Sequence, residues 1–124
     1  EHLKKMDELK GPYFITDWPR AAKPFYIKAR EGSDLTESFD FMYEALEVCS
    51  GGGREQDLKG LKTRMIESGL KTEGFQEHLK FFEFGMPPHA GWGLGFNRLL
   101  MALTGLQNIR EVVLYPRDKF RLAP

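Results

Sequence analysis

The sequence predicts an α+β fold with a mainly antiparallel sheet flanked by helices. Short β-branched and aromatic runs cluster in the first half, two helical patterns follow in succession, and a strand, a helix and a strand close the chain. The regular strand–helix alternation of doubly wound folds is missing, so the alternate glycines at 91, 93 and 95 do not support a dinucleotide site. No internal repeat or low-complexity segment interrupts the pattern.

Residues 1–10 are charged, with Leu3, Met6 and Leu9 three apart, which reads as the end of an amphipathic helix stopped by Gly11 and Pro12. Residues 13–16 form a strand that ends at Asp17-Trp18-Pro19, because proline disfavours helix before it and donates nothing to a ladder. A second strand is expected over 25–28 and a polar loop over 30–36. Residues 37–50 are the longest strand-like stretch. Ser38, Asp40, Met42 and Glu44 alternate with Phe39, Phe41, Tyr43 and Ala45, and a second segment runs from Ala45 into Gly51-Gly52-Gly53. Three consecutive glycines are entropically costly inside a plain strand and suggest a bulge or an open floor for a ligand.

Leu58, Leu61, Met65 and Ile66 share one face of a helix over 57–68 that Gly69 ends. Thr72 is expected to cap a helix over 73–84, with Phe75, Leu79 and Phe82 turned inward. Residues 85–89 form a rigid loop with two prolines. The glycines of 91–95 then make a short strand. Helical spacing after Phe96 puts Arg98 in the first turn of a helix ended by Gly105. A last strand is expected around Val112-Val113-Leu114, before a short basic tail over 119–124.

At 124 residues, the chain suffices for one domain with a modest core. Its 18 basic and 18 acidic residues cancel, so no global field argues for nucleic acid, and any RNA contact has to be local or lie on other parts of a longer protein. The single cysteine, Cys49, excludes an intramolecular disulfide framework and fits a reducing compartment. With no signal peptide and no apolar run near membrane-spanning length, the expected setting is the cytosol, without a membrane partner.

Four places carry candidate chemistry. Arg98, beside a bare glycine strand, is placed to meet a phosphate, and the residues alone equally allow a solvated arginine over a packed strand. Glu47 and Ser50 offer a carboxylate and a hydroxyl, hard oxygens suited to Mg²⁺, or else a solvated glutamate and a turn serine. On a regular strand they point to opposite faces and converge only if the chain twists or bulges at the glycines. Arg54, next to bare backbone, can clamp a carboxylate bidentately, and as a surface residue at a helix start it would oppose the helix dipole. Cys49 and His89 read as a small buried residue and a loop residue rather than as nucleophile and base. The three histidines and one cysteine lack zinc-ligand spacing.

Taken together, several ordered motifs resemble a class II aminoacyl-tRNA synthetase. They are Ile15-Thr16-Asp17-Trp18-Pro19, Lys23-Pro24-Phe25-Tyr26, the run from Glu47 through Ser50 and the glycines to Arg54, Gly85-Met86-Pro87-Pro88-His89, and Gly91 to Arg98. More narrowly the chain is similar to the C-terminal part of the catalytic domain of archaeal/eukaryotic-type aspartyl-tRNA synthetase. Asn108 to Val112, Tyr115-Pro116-Arg117-Asp118 and Arg121-Leu122 extend the likeness to the end. The resemblance implies ATP-dependent activation of L-aspartate and transfer to tRNA within a full-length homodimeric enzyme. It implies ATP binding by Glu47, Gly95, Phe96, Asn97 and Arg98, and Mg²⁺ held with ATP by Glu47 and Ser50. It also implies amino-acid contacts from Ser50 and Arg54, with Arg54 reading the side-chain carboxylate. No residue is expected to act as a covalent catalyst, since adenylate formation depends on positioning and charge stabilisation.

Two positions depart from the family pattern. Asn97 stands where an acidic residue usually precedes the arginine, and Gly53 stands where a glutamine often precedes the amino-acid-binding one. Motif 3 falls at 91–103, while motif 1, motif 2 and the anticodon-binding OB-fold are not recognisable. The expectation is that residues 1–124, which start at Glu1 rather than a methionine, are the C-terminal portion of a longer catalytic domain, inactive alone. The alternatives are an asparaginyl-tRNA synthetase fragment, a non-catalytic binding module and an asparagine-synthesising paralogue.

Overall fold

The computed structural model describes residues 9–123. The expected helix over 1–10 therefore falls almost wholly outside the described residues. Four strands pair in the order β1-β2-β3-β4: β1 Pro12–Thr16, β2 Ser38–Tyr43, β3 Leu46–Gly53 and β4 Ala90–Leu94. Three α-helices accompany them: α1 Leu58–Glu67, α2 Gln76–Glu83 and α3 Phe96–Thr104. The α+β class with an antiparallel sheet is as the sequence predicts. The chain divides into two compact units. One comprises the chain up to Phe14, Asp40–Ser50 and the chain from Gly93 on, and the other comprises Ile15–Phe39 and Gly51–Trp92.

In the second unit, Leu61, Met65, Leu79 and Phe82 form a buried cluster, with Phe25, Leu58, Leu70, Phe75 and Met86 packed against it. The helical periodicities supply these residues. α1 starts where the Asp57 carboxylate accepts from the Gly60 N–H, and it ends at Gly69, whose φ of +73° is left-handed. Ile66, expected on the inner face, is 67% exposed, because the buried stripe runs through Leu61 and Met65. The expected helix over 73–84 is shorter than its pattern. Thr72–Phe75 is a 3-10 turn, α2 begins at Gln76, and no Thr72 side chain caps it.

The buried Arg64 ties α1 to the segment that follows β1. Its Nη2 donates to the carbonyl oxygens of Arg20 at 3.1 Å, Lys23 at 3.4 Å and Pro24 at 3.5 Å. Burial pushes its guanidinium pKa down, and Arg20 adds to this against the opposing pull of Glu67.

Two expectations over strands are corrected, while the stretch 37–50 follows its two expected segments. Residues 25–28 form no strand: that segment makes only an isolated bridge from Ile27 to Arg54, held by backbone bonds from Lys28 N–H to Gly53 O and Glu55 N–H to Tyr26 O. The stretch 37–50 is two strands broken at Glu44 and Ala45, where Glu44 takes a φ of 51° and its carbonyl accepts from the Tyr13 hydroxyl at 2.8 Å. The final strand over 109–115 is not formed: Ile109–Val112 is a 3-10 turn, in which the Arg110 N–H donates to the Asn108 side-chain oxygen.

The triple glycine is not an open floor. β3 runs through it to Gly53. A Cβ on Gly51 would lie 2.5 Å from the Trp92 Cβ and 2.8 Å from the Gly91 carbonyl oxygen, and one on Gly52 would lie 2.5 Å from the Glu37 carbonyl oxygen. These glycines let neighbouring backbones approach, which answers their entropic cost.

Candidate functional site

In the first unit, α3 springs from β4 with Gly95 at its N-cap, and no side chain caps its first amides. The Gly95 N–H donates to Val48 O at 2.8 Å, which fixes the helix start against β3. Arg98 lies in the first turn, as the periodicity predicts. Its Nη1 donates to the Glu47 carbonyl oxygen at 2.9 Å and stands 3.6 Å from the Glu47 carboxylate. Both side chains are about half exposed (48% and 47%), so the pair adds little to stability. A cation beside an uncapped helix N-terminus also opposes the helix dipole. The arrangement is electrostatically favourable once an anion with several oxygens sits between the helix amides and the guanidinium.

The structure thus brings together Glu47, Gly95 and Arg98. Phe96 is 63% exposed and Asn97 half-buried in the same first turn. Ser50 lies half-buried on β3. Among the described residues no group of three or more histidine, cysteine or acidic side chains could hold a metal ion. Cys49, expected to be a buried small residue, is indeed buried, and burial pushes its thiol pKa up from the usual 9.0, with Asp40 and Glu47 adding to the effect. It carries no nucleophile.

Arg54 belongs to the second unit, at the end of β3. Its amide donates to His89 O at 2.9 Å, and its guanidinium lies over the Tyr26 ring with Cζ 4.9 Å from the centroid. It opens into a cavity of about 530 Å³ lined by Phe25, Tyr26, Glu55, Phe75, His78 and His89, among others. Glu55, its sequence neighbour, forms no ion pair with it, and the Glu55 Oε1 accepts from the Gln56 and Asp57 amides at 3.0 and 3.1 Å. The Arg54 guanidinium makes no ion pair or hydrogen bond with any described residue. Five donors held in a half-buried cavity without an acceptor suit a planar anion such as a carboxylate.

The sequence reading missed Tyr26 as part of this cavity. Tyr26 and Arg54 are 28 positions apart, and only the pairing of two short backbone segments brings them together. No local pattern announces that contact. His78 lines the cavity and meets Phe82 edge-on at 5.2 Å.

Residues 2–119 match the family model described as tRNA synthetases class II (D, K and N). The chain belongs to that family. It is 48% identical to an aspartate–tRNA(Asp/Asn) ligase of Methanopyrus kandleri over 125 aligned positions, covering 100% of this chain and 29% of the relative. It is 50% identical to an aspartate–tRNA(Asp) ligase of Thermoplasma acidophilum, covering 92% of this chain and 27% of that protein. Among solved structures, the aspartyl-tRNA synthetase of Entamoeba histolytica is similar at a TM-score of 0.88 and 35% identity, over 99% of this chain and 26% of that one. The asparaginyl-tRNA synthetase of Pyrococcus horikoshii also reaches 0.88, at 30% identity, over 97% of this chain and 29% of that one. The chain therefore spans less than a third of the length of these relatives. Among the described residues no helix is long and apolar enough to cross a membrane.

Proposed function

We propose that this chain is the motif 3 portion of a cytosolic, homodimeric aspartate–tRNA ligase, and that it serves ATP-dependent activation of L-aspartate. The single observation that carries the amino-acid assignment is the Arg54 guanidinium, which lies over the Tyr26 ring, makes no ion pair or hydrogen bond with any described residue, and opens to a cavity. A site built around an unpaired cation prefers a carboxylate to an amide, because the amide leaves the charge uncompensated. This favours aspartate over the asparagine of the asparaginyl relatives, while the relatives' names support the ligase class.

In this reading Arg98 and the first amides of α3, from Phe96 and Asn97 on, receive phosphate oxygens of ATP, and Gly95 allows close approach. Mg²⁺ arrives with ATP as part of the substrate. Glu47 would offer the ion one carboxylate and Ser50 one hydroxyl, two single donors three positions apart on β3 that would share an ion only through the twist of the strand and would form no protein cage. The ion supplies charge compensation on the phosphates. Asn97, neutral where an acidic residue is usual, leaves the positive charge of Arg98 undiminished by its sequence neighbour.

The α-carboxylate of aspartate attacks the α-phosphorus of ATP and the bond to the β-phosphate oxygen breaks, giving aspartyl-adenylate and pyrophosphate. A terminal hydroxyl of tRNA then attacks the acyl carbon and AMP leaves. No protein nucleophile is needed, and these residues act by orienting substrates and compensating charge. The remaining parts of the reaction centre, including motif 2, lie elsewhere in the full-length enzyme.

The test is ATP–pyrophosphate exchange by the gene product that carries this chain. Exchange is expected with aspartate and not with asparagine, and residues 1–124 alone are expected to show none. Exchange driven by asparagine in preference to aspartate overturns the amino-acid assignment.

A further inference from the structure

We infer that Tyr26 and Gly91 are positioning residues that fix the direction in which the Arg54 guanidinium meets the amino-acid side chain. The inference rests on the reading of Arg54 as the carboxylate-binding residue. An arginine head with no ion pair normally samples several rotamers, and each lost rotamer weakens a bidentate contact. Arg54 is confined instead on two sides. The Tyr26 ring lies under Cζ at 4.9 Å, within the range of a cation–π contact. At Gly91, a Cβ would stand 2.9 Å from Nη2, 3.2 Å from Nε and 3.5 Å from Cζ, so the bare backbone there is the space the guanidinium fills.

The confinement is built from rigid parts. Tyr26 is held by its carbonyl, which accepts from the Glu55 N–H at 2.9 Å, and by an edge-on contact with Phe25 at 5.4 Å. Phe25 in turn meets Phe75 edge-on at 5.7 Å and packs against the buried cluster of α1 and α2. The Arg54 backbone is fixed by its amide bond to His89 and by the Ile27 bridge. The orientation of a plane with five donors is therefore set from the core outward, before any ligand arrives.

Gly91 is also informative in the sense of its expected failure. The atom a new Cβ would strike is the far end of the Arg54 side chain, not backbone. Gly91→Ala is therefore accommodated by swinging the guanidinium off its seat, which alters recognition with little cost to folding.

The experiment measures pyrophosphate exchange in the gene product carrying this chain, with KM for aspartate, KM for ATP and kcat read separately, and a thermal melt of each variant. Tyr26→Phe keeps the ring face and should stay within about twofold of the parent, while Tyr26→Leu and Gly91→Ala should raise the aspartate KM about tenfold with the ATP KM unchanged. Arg54→Ala should lower kcat/KM for aspartate by about a hundredfold or more. If Arg54→Ala has no such effect, the underlying reading of Arg54 fails. If Arg54→Ala has it but Tyr26→Leu and Gly91→Ala leave the aspartate KM unchanged, or raise the ATP KM in equal measure, the positioning role alone is overturned.

Discussion

Two glycine runs in this chain look alike in the sequence and do different things. In the first, over 51–53, an added Cβ on Gly51 or Gly52 meets backbone, namely the Gly91 and Glu37 carbonyl oxygens and the Ser38 Cα. In the second, over 91–95, the nearest neighbour of an added Cβ is an arginine side chain or open space, with the Val48 carbonyl oxygen also 3.4 Å from that of Gly95. Gly91 faces the Arg54 guanidinium, Gly95 stands with its Cβ position 3.3 Å from Arg98 Cδ, and Gly93 has nothing within 4 Å. The first run is therefore a requirement of strand packing. The second leaves room for two arginine side chains. A glycine's meaning is set by the nature of the atoms it admits.

Substitutions can break or sharpen that contrast. Arg98→Ala tests whether the second run serves chemistry at all. Removing a donor aimed at developing or bound charge should lower the exchange rate by about 10² to 10³-fold with an unchanged melting temperature. A variant that retains full exchange would reduce Arg98 to an exposed partner of Glu47. Gly52→Ala tests the first run. Its Cβ has only backbone to displace, so chemical denaturation should show a loss of about 1–3 kcal/mol, as for other overpacked sites. Gly93→Ala has the smallest expected effect on folding. With open space around it and no left-handed φ, its unfolding free energy should remain within about 0.5 kcal/mol of the parent. A large destabilisation there would erase the distinction between the runs.

Legibility in the sequence followed the range of the interactions. α1 and α3 could be read closely, because a helix is announced by local spacing and by its caps: Asp57 and Gly69 bound one, and Gly105 ends the other with a φ of 72°. The strand expected over 25–28 was apolar enough, but its pairing is confined to one bridge, which local composition does not register. Residues 109–115 have β-branched character, yet the Asn108 side chain accepts from the Arg110 amide and favours a 3-10 turn over a strand. The triple glycine was misjudged for a related reason. The cost of glycine in a strand is a local quantity, whereas the collision that forbids a side chain there comes from residues more than ten positions away.

The candidate site divides along the same line. Arg98 could be placed at a helix start from spacing alone, and its contact with Glu47 joins residues that the motif pattern had already paired. That Arg54 lacks a counter-ion could not be read. It depends on Glu55 turning toward the start of α1 and on Tyr26 arriving from another segment. Absence of a partner is a property of the folded arrangement, and no residue type encodes it.

The buried Cys49 has a practical consequence. Its thiol is shielded from solvent and biased toward the protonated form by its surroundings, and the chain contains no other cysteine. An engineered surface cysteine would then be the one thiolate available to a maleimide at neutral pH. The chain is already a background for attaching a single fluorophore or spin label without first removing a residue from β3.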